Sequence, residues 1–429
     1  MRQRPLIVVA MCLMALAAAP PAGADLRSYL ATPDSSFRWE KTQERKSATG
    51  TSYELRLTSQ TWHGIPWTHK LLVVVPARLE FPGIAALHVT GGSGGMAEAM
   101  LAFTLANRTG TTVAVLYDIP NQPLFGGMKE DDLIAHTFEQ YLATRDETWP
   151  LLFPMTRSVL RAMDALQQFS EKEGMVRLDR FIVNGASKRG WTTWLTAASG
   201  DKRVAAIIPI VYDNLNIARQ MPHQLAVWGA YSAQIDDYTR RGLQAKLDTE
   251  AGRKLTAMVD PYTYRKAFTM PKLIVNGTND PYWAQDALNL YWDDLPGPKW
   301  ILYSTNSGHG LENIAPVLNA ASGFVRAVAS GVLPPRIEWK RETTADGARI
   351  TVTSTPAPVS ASLWIARSAT QDFRKSRWAA SPLTAAGGAF TADVKRPDSG
   401  WLAAMIEVQT EIAGKPCPFC TQIVILEAR

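Results

Sequence analysis

The feature that most constrains this chain is a regular alternation of buried-strand and helix patterns between Tyr53 and Tyr303. Runs typical of strands, and helical spacing between them, occur at 53–58, 70–75, 84–90, 96–106 (helical), 112–117, 155–169 (helical), 180–183, 188–198 (helical), 205–211, 272–276 and 300–303. Short apolar strands that alternate with helices favour a mostly parallel sheet with helices on both faces. We therefore predict an α/β fold.

Two insertions and one change of pattern divide the chain further. Long excursions near 121–150 and 214–268 interrupt the alternation, where such sheets carry substrate pockets. After Pro334-Pro335 the pattern becomes short strands separated by turns. We predict an α/β catalytic domain over 25–333 and a C-terminal β-sandwich-like domain over 336–429.

The N-terminus has the pattern of a secretory signal peptide. Arg2 and Arg4 precede a short apolar stretch at 6–19, and Ala22-Gly23-Ala24 provides small residues for cleavage. We predict a signal peptide over 1–24, cleavage after Ala24, and a periplasmic or secreted protein with no stable membrane span. A retained membrane anchor is the alternative.

Charge and cysteine content limit the classes of partner and cofactor. The net charge of +6 is spread along 429 residues without a long basic run, which predicts no nucleic-acid partner. Cys417 and Cys420 form a single C-x-x-C motif. A local disulfide is our prediction, and a metal or redox site is the alternative.

Ser187 lies in a pattern typical of an activated nucleophile. The strand at 180–183 leads into Asn184-Gly185-Ala186-Ser187-Lys188-Arg189-Gly190, which is followed by a helix. A sharp strand–turn–helix of this kind exposes a serine hydroxyl at a helix N-terminus. The second glycine stands one place later than in the usual G-x-S-x-G pattern. A chance strand–turn–helix serine is the alternative interpretation.

Chain order then selects a histidine and an acid. Among the six histidines, His309 alone follows the last core strand, in a glycine-rich loop. Asp280 follows the preceding strand, at 272–276, and we predict that it is the acid that orients the imidazole. Asp213, at the end of the strand at 205–211, is the rival acid.

The oxyanion hole is predicted from two backbone positions. Lys188 follows the nucleophile directly, and the glycine-rich loop after the strand at 84–90 contributes Gly92 and Ser93. A phosphate-binding loop is disfavoured because no Gly-Lys-Ser/Thr sequence ends it. His63 and His69 flank Trp67, but no third ligand has suitable spacing, so we predict no metal and no cofactor.

The segment around Ser187 resembles the PhoPQ-activated pathogenicity-related protein family. The similarity covers nearly the whole chain after residue 24 and is carried by Gly185-Ala186-Ser187-Lys188-Arg189-Gly190-Trp191, Ser59-Gln60-Thr61-Trp62, Pro120-Asn121-Gln122-Pro123, Asp260-Pro261-Tyr262, Leu363-Trp364-Ile365-Ala366 and Asp372-Phe373-Arg374. The resemblance implies an α/β-hydrolase fold with a C-terminal β-domain, and a triad of Ser187, Asp280 and His309. Pro281-Tyr282-Trp283 departs from the paired aromatics often found after the family's acid.

These observations predict an exported serine hydrolase that cleaves an ester or amide bond of a small molecule or peptide through an acyl-enzyme. The family name records regulation and an association with virulence, which makes peptides of host defence one candidate substrate class. The elbow is also similar in form to that of glucuronoyl esterases, so a carbohydrate ester stays open. A non-catalytic binding or signalling protein on a hydrolase scaffold is the alternative.

Overall fold

The predicted α/β sheet is present in the computed structural model, which describes residues 25–429. It contains nine strands. They are β1 (Arg38–Ser47), β2 (Gly50–Trp62), β3 (Ile65–Pro76), β4 (Ile84–Val89), β5 (Thr112–Leu116), β6 (Arg180–Ala186), β7 (Val204–Ile210), β8 (Lys272–Gly277) and β9 (Lys299–Ser304). Their order across the sheet is β1-β2-β3-β5-β4-β6-β7-β8-β9. This arrangement confirms the predicted α/β-hydrolase fold.

The sheet is antiparallel at one side and parallel elsewhere. Strands β1, β2, β3 and β5 pair antiparallel, and the six strands from β5 to β9 pair parallel. The sequence pattern missed β1, whose residues are mostly polar and exposed. An edge strand with little burial has no apolar alternation, so its pairing with β2 decides its conformation.

Helices fill the connections. They are α1 (Leu26–Ala31), α2 (Met96–Thr109), α3 (Glu130–Thr144), α4 (Leu152–Lys172), α5 (Lys188–Ala198), α6 (Ile217–Trp228), α7 (Asp236–Thr239), α8 (Glu250–Val259) and α9 (Ile314–Ser330). Helix α2 packs with α9, and α4 packs with α5. Every residue of β5 and of β8 is buried, which requires cover on both faces of the sheet. The two predicted insertions contain α3 and α6 to α8.

The C-terminal part forms two antiparallel sheets. Their strands are β10 (Arg336–Thr344), β11 (Gly347–Thr355), β12 (Ser360–Ser368), β13 (Ala379–Leu383), β14 (Ala385–Ala386), β15 (Ala389–Lys395), β16 (Trp401–Ile412), β17 (Lys415–Cys420) and β18 (Val424–Glu427). One sheet has the order β10-β11-β15-β14 and the other β13-β12-β16-β17, with β18 also on β16. The β-sandwich-like character predicted from the short strands is therefore present.

The predicted disulfide is wrong. Cys417 and Cys420 are both free and buried. They lie three residues apart on the extended strand β17, so about 10 Å separates their Cα atoms, beyond the roughly 7 Å that a disulfide spans. The Cys417 thiol contacts the carbonyl of Ala320 in α9, and the Cys420 thiol contacts Tyr303 in β9. The two thiols pack the C-terminal sheet against α9 and β9.

The predicted signal peptide lies outside the described residues. Over 25–429, no helix is both long enough and apolar enough to cross a bilayer.

Candidate active site

The turn between β6 and α5 holds Ser187 in the conformation expected of a nucleophile. Its backbone has φ +58° and ψ −123°, a region that few non-glycine residues adopt. A hydrogen bond from the Ser187 amide to the carbonyl of Ile210 (2.8 Å) fixes the turn on the neighbouring strand. A Cβ on Gly190 would lie 2.8 Å from that same carbonyl. Gly190, which stands one place later than the second glycine of the usual G-x-S-x-G motif, therefore still permits α5 to approach β7 closely.

Ser187, His309 and Asp280 meet at the carboxyl ends of three strands of the sheet. The Oγ of Ser187 lies 2.9 Å from Nε2 of His309, and Nδ1 of His309 lies 2.8 Å from Oδ2 of Asp280. The second oxygen, Oδ1, accepts a hydrogen bond from the amide of Tyr282 (2.8 Å). Asp280 is 4% exposed, whereas Ser187 and His309 are partly open to solvent. The structure thus brings together the three residues that chain order selected.

The rival acid Asp213 does not reach the histidine. Its carboxylate accepts hydrogen bonds from the Tyr291 hydroxyl (2.7 Å) and from the Asn276 amide (2.9 Å). Burial, together with the nearby Asp280 carboxylate and against the hydrogen bond from Tyr291, raises the pKa of Asp213 to about 7. Asp213 therefore belongs to a buried network behind the triad.

The glycine-rich loop after β4 lies beside Ser187. Gly91, Gly92 and Ser187 line one small cleft, whereas Ser93 is exposed. The amide of Thr90 donates to Leu116, and the amide of Gly92 donates to the Thr90 hydroxyl (3.2 Å). No described residue accepts a hydrogen bond from the Gly91 amide. Gly91 thus offers a free donor in the cleft, whereas the amide of Gly92 is engaged and Ser93 does not line the cleft.

Two carboxylates at the start of α3 pair with the two basic residues that follow Ser187. The Lys188 ammonium donates to Asp131 (2.7 Å), and Arg189 makes two hydrogen bonds of 2.6 Å with Glu130. Burial opposes the charge on Lys188, but the Asp131 carboxylate outweighs it and raises the pKa of Lys188. Burial alone would raise the pKa of Glu130, yet the Arg189 hydrogen bonds lower it to about 2.

The guanidinium of Arg189 also abuts the glycine-rich loop after β4. A Cβ on Gly91 would lie 1.7 Å from it, so only glycine fits there. Arg189 occupies the usual place of the second glycine of the elbow and links that turn to Glu130. The sequence contained no signal for this role, because α3 lies far from the elbow along the chain.

An apolar cavity opens at Ser187 beneath the insertion at 214–268. Its volume is about 850 Å³ including the open mouth. Aromatic and aliphatic side chains such as Phe138, Trp191, Met221 and Leu255 line most of it, and Lys188 lies at its polar end. An apolar lining of this kind next to Ser187 suits the apolar part of a small substrate.

Tyr282 is a site residue that the sequence analysis did not single out. Its ring stacks on the His309 imidazole with 4.1 Å between ring centroids and 30° between planes. It also lines the apolar cavity. The sequence did carry a signal for this role. Tyr282 lies two residues after Asp280, where the chain departs from the paired aromatics of the family.

The two histidines weighed as metal ligands have other surroundings. His69 is 2% exposed and lies 2.9 Å from the Ser59 hydroxyl and 3.1 Å from the carbonyl of Asp118. His63 stacks on Trp149. Between residues 25 and 429, no group of three or more His, Cys, Asp or Glu side chains is arranged to hold a metal ion.

Comparison with known proteins identifies the family. The sequence profile described as "PhoPQ-activated pathogenicity-related protein" matches residues 26–374, most of the chain. The chain belongs to this family. It is also 30% identical to "Autocrine proliferation repressor protein A" of Dictyostelium discoideum, in an alignment that covers 90% of this chain and 85% of that protein.

Solved structures with a similar arrangement are remote in sequence. An acetyl xylan esterase from Paenibacillus sp. R4 is 14% identical with a TM-score of 0.48, over 69% of this chain and 92% of that chain. An S-formylglutathione hydrolase from Agrobacterium tumefaciens is 15% identical with a TM-score of 0.44, over 68% and 99% of the two chains.

Proposed function

We propose that this member of the PhoPQ-activated pathogenicity-related protein family is an exported serine hydrolase that cleaves an ester or amide bond through an acyl-enzyme. The observation that carries the proposal is the continuous hydrogen-bond chain from Ser187 through His309 to Asp280, with donor–acceptor distances of 2.9 and 2.8 Å. The strained backbone of Ser187 and the cavity at its hydroxyl support the same function.

Each residue of the triad has a distinct step. His309 Nε2 takes the proton of Ser187 as Oγ bonds to the substrate carbonyl carbon, and then gives that proton to the departing oxygen or nitrogen as its bond breaks. Asp280 keeps the other imidazole proton on Nδ1 and stabilises the imidazolium. Water then attacks the carbonyl of the acyl-enzyme as His309 takes its proton. The Ser187 Oγ–acyl bond breaks, the acid leaves, and His309 returns the proton to Oγ. The amides of Lys188 and Gly91 are our choice of oxyanion donors, in place of Gly92 and Ser93.

A fluorophosphonate probe tests the nucleophile directly. We expect the purified protein to be labelled once, with the adduct on Ser187 by mass spectrometry, and we expect Ser187→Ala to abolish labelling. Ser59→Ala is the matched control, because Ser59 also bonds a histidine but is fully buried. Labelling that survives Ser187→Ala, or no labelling of the folded protein, would refute the proposal.

A second candidate, extracellular signalling on a hydrolase scaffold, is favoured by the name of the Dictyostelium relative. The same variant separates the two candidates. A signalling role independent of hydrolysis survives Ser187→Ala, whereas a hydrolytic role does not.

Export is tested on the mature protein. We expect the N-terminal sequence of protein recovered from the periplasm or culture medium to begin at Asp25. Full-length protein retained in the membrane fraction would contradict cleavage after Ala24.

A further inference from the structure

A second cleft, which shares no lining residue with the apolar cavity, reaches the triad at His309. It opens at His309 and has a volume of about 1310 Å³ including its mouth. One wall comes from the His309 loop and includes Glu312, and the other comes from Asp372, Arg374 and Lys375 of the C-terminal β-domain. We call this space the polar cleft. The C-terminal domain therefore contributes side chains next to a triad residue.

Two asparagines fix that wall to the loops that carry the acid and the histidine. The side-chain amide of Asn279, which precedes Asp280, lies 2.7 Å from the carbonyl of Ser376 and 3.2 Å from that of Phe373. Asn306, in the His309 loop, exchanges two hydrogen bonds with the backbone of Trp378 at 2.8 and 3.1 Å. These hydrogen bonds fix the position of the 373–378 segment relative to the loops that carry Asp280 and His309.

Buried aromatic residues and a stacked arginine anchor the same wall. Phe373 and Trp378 are almost completely buried. The guanidinium of Arg374 lies 4.1 Å from the ring centroid of Trp228, at the end of α6, and pairs with both oxygens of Asp372. These contacts preorganise the polar groups before a ligand binds.

The charges around the polar cleft balance. Glu312 and Asp372 supply two carboxylates, and Arg374 and Lys375 supply two cations. A charged ligand would meet a like charge on one of the two walls. A neutral ligand with hydroxyl groups can donate to the carboxylates and accept from the cations, since each hydroxyl does both.

The chemistry of acyl transfer assigns the two spaces to the two halves of a substrate. The acyl group bonds to Ser187, which lines the apolar cavity. The leaving group takes its proton from His309 Nε2 and so lies next to His309, which is also a lining residue of the polar cleft.

We infer that the polar cleft binds the leaving group, and that the substrate is an ester of an apolar acid with a neutral, polyhydroxylated alcohol such as a sugar. This inference rests on the proposed serine-hydrolase function. In the reaction the Ser187 Oγ–acyl bond forms, the acyl–sugar oxygen bond breaks, and the sugar leaves with the proton from His309.

The test compares two butyrate esters that differ only in the alcohol, 6-O-butyryl-glucose and hexyl butyrate, by pH-stat titration with the full mature chain. We expect kcat/KM to be about tenfold or more higher for the sugar ester. Lys375→Met should lower this preference about fivefold, because Lys375 is exposed and pairs with no described residue, which leaves its ammonium free for the sugar. Arg377→Met is the matched control. Arg377 is exposed on the same loop but lies outside the cleft lining, so the preference should be unchanged.

The outcomes separate this inference from the proposed function. The sugar assignment is overturned if kcat/KM is equal for the two esters, or if Lys375→Met keeps the full preference. In either case, fluorophosphonate labelling of Ser187 would still support the hydrolase. Failure to hydrolyse both esters together with failure to label Ser187 overturns the hydrolase and the sugar assignment alike.

Discussion

Asp280→Asn is the substitution whose effect the structure defines most closely. Oδ1 of Asp280 accepts the amide hydrogen of Tyr282, and Oδ2 faces Nδ1 of His309. The backbone donor keeps the remaining carbonyl oxygen of the substituted side chain, so its NH₂ group must face Nδ1. Nδ1 must then accept a hydrogen bond, which places the imidazole proton on Nε2. An Nε2 that carries a proton cannot take one from Ser187.

The expected loss follows from that tautomer change. We expect kcat to fall by about 10³- to 10⁴-fold, which corresponds to about 4–5 kcal/mol of transition-state stabilisation. The assay is the hydrolysis of 4-nitrophenyl butyrate at pH 7, with the rate of fluorophosphonate labelling as a second readout. Because the change is isosteric and the site is intact, KM should change far less than kcat.

Asp213→Asn is the matched control, since Asp213 is the other buried carboxylate near the triad. The Oδ1 atom of Asn276 has no hydrogen-bond partner among the described residues. The Asn276 amide can therefore turn and accept from the substituted side chain, which keeps a hydrogen bond between the two side chains. We expect kcat within about threefold of the unmodified protein. A loss below tenfold in Asp280→Asn, or an equal loss in Asp213→Asn, would refute the assignment of the acid.

Three other predictions concern stability, the acyl cavity and the thiols. Burial lowers the pKa of His69 from 6.5 to about 4, so the unfolded chain takes up the proton first and the free energy of unfolding should fall by about 3 kcal/mol between pH 6.5 and pH 4. Urea titrations at several pH values measure this fall, and a His69→Gln variant that keeps the full slope would contradict it. Leu255→Trp fills the apolar cavity, and we expect kcat/KM for 4-nitrophenyl octanoate to drop at least about tenfold relative to the acetate; an unchanged ratio would place the acyl group elsewhere. Burial raises the pKa of Cys417 to about 12, and both thiols are buried. Ellman's reagent should therefore modify neither cysteine of the folded mature protein, and both after unfolding in guanidinium. Two fast-reacting thiols in the native state would show that β17 is displaced.

Local sequence patterns were sufficient for the main elements of the site. The run Phe181-Ile182-Val183 before Gly185-Ala186-Ser187 defined the elbow, because strand, turn and helix preferences act over a few residues. The order of Ser187, Asp280 and His309 followed from the same local patterns read in sequence. The prediction for Cys417 and Cys420 failed because the C-x-x-C spacing does not reveal whether those residues form a turn or an extended strand.

What the sequence alone determined is therefore the α/β alternation, the turn that holds Ser187, and the three residues that form the proposed triad. All of these depend on neighbours along the chain. Only the tertiary structure decided which groups surround that triad. Lys188 meets Asp131 across 57 residues, and Asn279 meets Ser376 across 97. Contacts of that range depend on how the sheets and helices pack, and no short pattern encodes them. The polar cleft is the clearest case, because two separate domains build its walls.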